Sequence, residues 1–195
     1  YIVPGGRFRE MCYWDSYFTI IGLLESGEDS LALDMIDNFA FLIDQFGYIP
    51  NGNRSYFLER SQPPFFALML SAFAEKHGQE AILSYLPQLE REYLFWMDGQ
   101  EIIPNPGYQG QHLVVFQDGT YLNRYYGARG EPRSEAYGKE VRWAKGKQGI
   151  QRSAFFKHLR AACESGWDFS SRWFADGINK TTIQTEELAP VDLNS

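Results

Sequence analysis

The feature that most constrains this chain is the period of its apolar residues. From Ser30 to Phe46, Met35, Ile36, Phe39, Ile43 and Phe46 recur three and four apart, and Gly47 follows. That spacing puts one apolar stripe on a helix, and a glycine is the common residue just past a helix end. The same reading predicts helices from Asp15 or Ser16 to about Ser26, stopped by Gly27, and from Phe65 to Lys76 before Gly78. Pro63-Pro64 stands at the first turn of the latter, where proline is tolerated, and Phe66, Met69, Leu70 and Phe73 share its apolar face. Glu80 to Asp98 continues the pattern with a break at Pro87, and Ser134–Ala144 and Ser153–Glu164 add two more. Only Leu113–Phe116 and Tyr121–Tyr125, around Asp118-Gly119, read as strands of a hairpin. The expected class is all-α with one small hairpin.

Composition narrows the function. Twenty-five acidic residues against 18 basic ones give a net charge of -7, which argues against nucleic acid as a partner because phosphate neutralisation needs a dense cationic face. No apolar run reaches the roughly 18 to 20 residues that span a bilayer, so no membrane partner is expected. Aromatic residues make up 16% of the chain; sugar-binding clefts and large helical cores both use such rings. Cys12 and Cys163 are far apart, and His77, His112 and His158 lack partners at ligand spacing. Neither a metal site nor a disulfide framework is expected. No glycine-rich dinucleotide fingerprint, nucleophile elbow or Cys-His pair is present, and no cofactor is expected.

Three loops carry large and charged residues where ordinary connectors carry small polar ones. The first is Pro4-Gly5-Gly6-Arg7-Phe8, followed by Glu10 and by Tyr13-Trp14-Asp15-Ser16-Tyr17. Its glycines allow close approach of backbone to a ligand, though a tight turn with a structural Arg-Asp pair would use the same residues. The second is Ile49-Pro50-Asn51-Gly52-Asn53-Arg54-Ser55, then Glu59-Arg60-Ser61-Gln62-Pro63-Pro64. Its amides and guanidinium groups suit the hydroxyls of a carbohydrate. Turn chemistry accounts for Asn51-Gly52 equally well, but less well for Arg60 and Gln62. The third is Ser165-Gly166-Trp167-Asp168-Phe169-Ser170-Ser171-Arg172-Trp173. Asp168 between two aromatics would have a raised pKa, as a general acid requires, while a helix cap or ion-pair member would also be an Asp beside Ser and Arg.

At these loops the chain closely resembles the trehalase family of glycoside hydrolases, and the likeness covers all 195 residues in order. The resemblance implies hydrolysis of α,α-trehalose, a small-molecule disaccharide, to two glucose molecules with inversion, on an (α/α)6 toroid. It implies that Asp168 is the general acid, and that Arg7, Trp14, Asp15, Asn51, Arg60, Gln62, Arg133, Glu135 and Gly166 contact the sugar. Two positions depart from the family pattern: Cys12 stands where it has Tyr, and Ser134 where it has Pro. The family's general base, a Glu toward the C-terminus, has no counterpart in residues 1–195. With six or seven helices of an expected twelve, residues 1–195 read as the N-terminal portion of a single catalytic domain, truncated at both ends. The remaining C-terminal part is its expected partner, and the segment alone is expected to be inactive. The compartment, periplasmic or cytoplasmic, is not legible. A glucoamylase-like glucosidase and a non-catalytic sugar-binding module are the alternatives.

Overall fold

The structure, a computed structural model, describes residues 2–194. It divides into two compact units, residues 1–95 and 96–195. The first holds α1 (Tyr13–Glu25), α2 (Asp29–Phe46), α3 (Phe66–His77) and nearly all of α4 (Leu86–Trp96). The second holds an antiparallel hairpin, β1 (Leu113–Val115) and β2 (Tyr121–Asn123), followed by α5 (Tyr137–Trp143) and α6 (Gly149–Glu164). Beyond α6 the described backbone makes short 3₁₀ turns and one isolated antiparallel bridge, Phe174 with Ile183.

In the first unit the apolar stripes meet as the spacing predicts. Met35, Ile36, Phe39 and Ile43 of α2 pack with Tyr13, Ile20 and Leu24 of α1 and with Phe66, Met69, Leu70 and Phe73 of α3. Burying one such side chain is worth about 1.5–3 kcal/mol. Phe46 departs from its stripe; in the last turn of α2 it is 43% exposed. Gly47 closes α2 in left-handed backbone, φ 81°, its N–H donating to the Ile43 carbonyl at 2.7 Å.

Several boundaries differ from the sequence reading. α1 begins at Tyr13 rather than after Asp15 or Ser16, because the Ser16 hydroxyl donates back to the Cys12 carbonyl at 2.7 Å instead of capping. α6 begins at Gly149, four residues before Ser153. The helix read from Glu80 is a 3₁₀ segment, Gln79–Tyr85, and the α-helix starts only at Leu86. Pro87 lies in that first turn, where its missing N–H leaves no intrahelical bond unmade.

In the second unit the hairpin registers Leu113 with Asn123 and Val115 with Tyr121. Its turn uses Gly119 at φ 86°, while the Asp118 carboxylate accepts from the Thr120 N–H at 2.9 Å. Trp173, Tyr125, Phe156, Leu159 and Ile183 are among the buried residues of this unit. Neither Cys12 nor Cys163 forms a disulfide.

Candidate active-site residues

In the first unit the loop after α2 folds back on the start of α1. Asn51 is buried; its N–H donates to the Arg60 carbonyl at 2.8 Å and its amide Nδ2 to the Ser61 carbonyl at 3.2 Å. The Gln62 Oε1 accepts from the Trp14 N–H at 3.1 Å, and the Tyr13 N–H reaches the Asn51 carbonyl at 3.4 Å. These bonds tie Trp14 and Asp15, in the first turn of α1, to the stretch carrying Asn51, Arg60 and Gln62. Arg60 is only 3% exposed and lies over the Phe57 ring, 5.2 Å from its centroid. Gly52 packs against the same ring, and a Cβ there would fall 2.9 Å from Phe57 Cδ2. Glycine is needed at this position for close approach, which turn chemistry alone would not demand.

Arg7 is placed differently. Gly5 and Phe8 exchange backbone hydrogen bonds at 3.2 and 3.0 Å, with Gly5 and Gly6 in left-handed backbone. The turn leaves Arg7 exposed, its guanidinium 4.8 Å from the centroid of Phe8. Asp15 is also exposed, yet desolvation by the surrounding protein holds its carboxyl above the usual range, partly offset by its own backbone N–H.

In the second unit α6 delivers the third loop. The Ser165 hydroxyl donates to the Ala162 carbonyl at 2.5 Å and accepts from the Trp167 N–H at 3.1 Å. Gly166 has φ 70°, and the Ser170 N–H donates to the Trp167 carbonyl at 3.1 Å, closing a turn with Asp168 and Phe169 at its centre. Asp168 holds φ 38°, a left-handed backbone that non-glycine residues adopt at a cost of about 1–2 kcal/mol. Its side chain is exposed, and so is Trp167. The adjoining aromatics therefore do not bury the carboxyl as the sequence reading expects.

Arg133 comes to this loop through Phe169. Its guanidinium carbon stands 5.5 Å from the Phe169 centroid, while its Nε and backbone N–H donate to the Glu140 carboxylate at 2.6 and 2.8 Å. Nη1 reaches Glu135 at 3.4 Å. Ser134, between the two, opens a 3₁₀ turn, Ser134–Ala136.

A trehalase family model matches residues 1–195. The chain belongs to the trehalase family. It is 51% identical over its whole length to a periplasmic trehalase of Xanthomonas oryzae pv. oryzae and 50% identical to one of Salmonella typhimurium, covering 34% of each relative. The chain thus spans about a third of the length of these curated relatives. Its fold is also similar to that of neutral trehalase Nth1 from Saccharomyces cerevisiae, with TM-score 0.69, 30% identity, and coverage of 100% of this chain and 36% of that one. The expected all-α trehalase fold with one small hairpin is what the chain adopts.

Of the residues that the trehalase resemblance points to, the first unit brings Trp14, Asp15, Asn51, Arg60 and Gln62 together by hydrogen bonds and chain continuity, with Arg7 on its own turn. The second brings Arg133 and Glu135 to the turn holding Gly166 and Asp168. Glu140, Phe57 and Phe169 escaped the sequence reading as supports of these groups. Phe169 adjoins Asp168 and could have been suspected; Glu140 stands seven residues from Arg133 with no motif to mark it.

Proposed function

We propose that this chain is part of a trehalose-hydrolysing glycosidase and carries its general acid, Asp168. The observation behind the assignment is the turn at Gly166–Ser170, which holds Asp168 in left-handed backbone next to Phe169, whose ring lies against the buried Arg133. Backbone held in a sparsely populated region is commonly kept at functional sites, where it aims a side chain. In a chain half identical to periplasmic trehalases, that turn is a fitting place for the proton donor.

The chemistry follows from the substrate. Trehalose joins two glucose rings through both anomeric carbons, so its acetal resists hydrolysis unless the bridging oxygen is protonated as it leaves. Asp168 would donate that proton, with the bond breaking through an oxocarbenium-like state. A second carboxylate, which we place outside residues 1–195, would take a proton from the attacking water on the opposite face. In inverting enzymes the two carboxyl groups stand roughly 6.5–9.5 Å apart to admit that water. Since Asp168 is exposed within this chain, the desolvation that keeps a general acid protonated would come from bound sugar and from the rest of the protein. Arg7, Trp14, Asp15, Asn51, Arg60, Gln62, Arg133, Glu135 and Gly166 would hold the glucose rings. The arginines would act through hydroxyls and neighbouring carboxylates, since a bare cation beside the developing positive charge would oppose it. The compartment we infer is the periplasm, as in the bacterial relatives.

The test is the complete protein assayed on trehalose and maltose, with the anomer of the released glucose followed by NMR. Trehalose cleaved in preference, giving one α- and one β-glucose, supports the reading. Preference for maltose would indicate a glucoamylase-like enzyme, and binding without turnover a sugar-binding module.

A further inference from the structure

α5 is seven residues long, and two of its side chains hold the surroundings of Asp168. Glu140 has no exposed surface, and its two carboxylate oxygens accept from the Nε and the backbone N–H of Arg133. Trp143, three residues on and so on the same side of the helix, meets the Phe169 ring edge-on at 5.2 Å. Phe169 in turn lies under the Arg133 guanidinium. A closed set of contacts therefore runs from Glu140 to Arg133, to Phe169, to Trp143 and back along α5. Just before Arg133, the Glu131 and Pro132 carbonyls accept from Arg160 of α6 at 3.0 and 3.2 Å.

We propose that Glu140 is a positioning residue, which fixes the plane of the Arg133 guanidinium so that its terminal Nη groups face Glu135 and the sugar beside Asp168. The inference rests on the reading of Arg133 as a substrate contact. An arginine has five N–H donors in a rigid fork. Glu140 takes the Nε–H and, by also holding the backbone N–H, fixes both ends of the side chain. That leaves the Nη groups for Glu135, at 3.4 Å, and for hydroxyls. The carboxylate also balances a guanidinium that is itself buried.

The experiment is kinetic, in the complete protein. Glu140→Gln keeps the volume but loses the charge, and its NH₂ cannot accept from the Arg133 N–H. The expected result is a fall in kcat/KM on trehalose of about 10- to 100-fold, carried mainly by KM. A merely structural role would instead lower the amount of active protein and the Tm and leave KM unchanged. In an Arg133→Lys background the same substitution is expected to change KM less than about threefold, because the guanidinium it orients is gone. Should E140Q not fold, Glu140→Asp keeps the charge, shortens the reach and gives the same non-additive rise in KM. An unchanged KM, or losses that multiply independently, overturns the proposal. If Arg133→Lys itself has the parent KM, the substrate-contact reading falls and the proposal with it. If only the Glu140 variants are normal, the proposal fails alone.

Discussion

Two non-glycine residues among those described hold left-handed backbone, and they use it differently. Asp98, φ 54°, seats its carboxylate on the N–H groups of His112 and Leu113 at 2.8 and 3.1 Å. Asp168, φ 38°, sits instead in an exposed turn two residues after Gly166, which is left-handed too. That turn depends on a glycine. Gly166→Ala would force a side chain into φ 70° at a cost of about 1–2 kcal/mol. The expected outcome in the complete protein is a kcat on trehalose lowered at least about tenfold with a drop of only a few degrees in Tm, measured by steady-state kinetics and thermal denaturation. Equal kcat would mean that the path of this turn does not matter to the chemistry.

At the scale of elements, buried charge makes stability depend on pH. Glu92 of α4 accepts a hydrogen bond from the Tyr13 hydroxyl of α1, which in turn accepts from the Phe66 N–H of α3 at 2.8 Å. Burial pushes the Glu92 carboxyl up to about 7, against the opposing effect of the Tyr13 hydroxyl. Its folded pKa lies above the unfolded value, so the associated stability is complete below about 4.5 and is lost as pH rises through 7, amounting to about 3 kcal/mol. Glu92→Gln, still able to accept from Tyr13, is expected to flatten the Tm difference between pH 5 and 8.

His112, just before β1, has its Nε2 3.1 Å from the buried Glu164 carboxylate of α6. Burial alone would lower its pKa, but Glu164 and Asp98 outweigh this and raise it to about 9. The charged imidazole therefore adds stability that is full below about 6.5 and fades as pH rises through 9. His112→Gln should remove that alkaline loss of Tm.

Neither group was legible in the sequence. Met35, Ile36, Phe39 and Ile43 announce a helix face because the 3.6 period is local to the chain. Glu92 and Tyr13 are 79 positions apart, and His112 and Glu164 are 52 apart. Only the packing of distant elements makes those pairs. The three loops stood out because they hold Arg, Asn and Trp where connectors are usually small. Gly52 could be noticed as half of an Asn-Gly turn, but its close approach to Phe57 could not. The start of α1 was misplaced because a serine can bond backward into a helix as well as cap it.

For the whole molecule, the chain's share of its relatives' length sets the expectation. It matches 34% of the Xanthomonas and Salmonella trehalases, and the proposed base is outside it. Residues 1–195 expressed alone are expected to give no detectable glucose from trehalose, whereas the complete protein is expected to release it. Turnover by the isolated segment would mean that a base within these residues had been overlooked. The account itself stands on proton donation by Asp168, and one measurement reaches it most directly. Asp168→Asn in the complete protein should lose at least about 10³-fold in kcat on trehalose. It should keep most of its fluoride release from α-glucosyl fluoride, whose leaving group needs no proton. Parallel loss on both substrates, or trehalose hydrolysis near the parent rate, would contradict it.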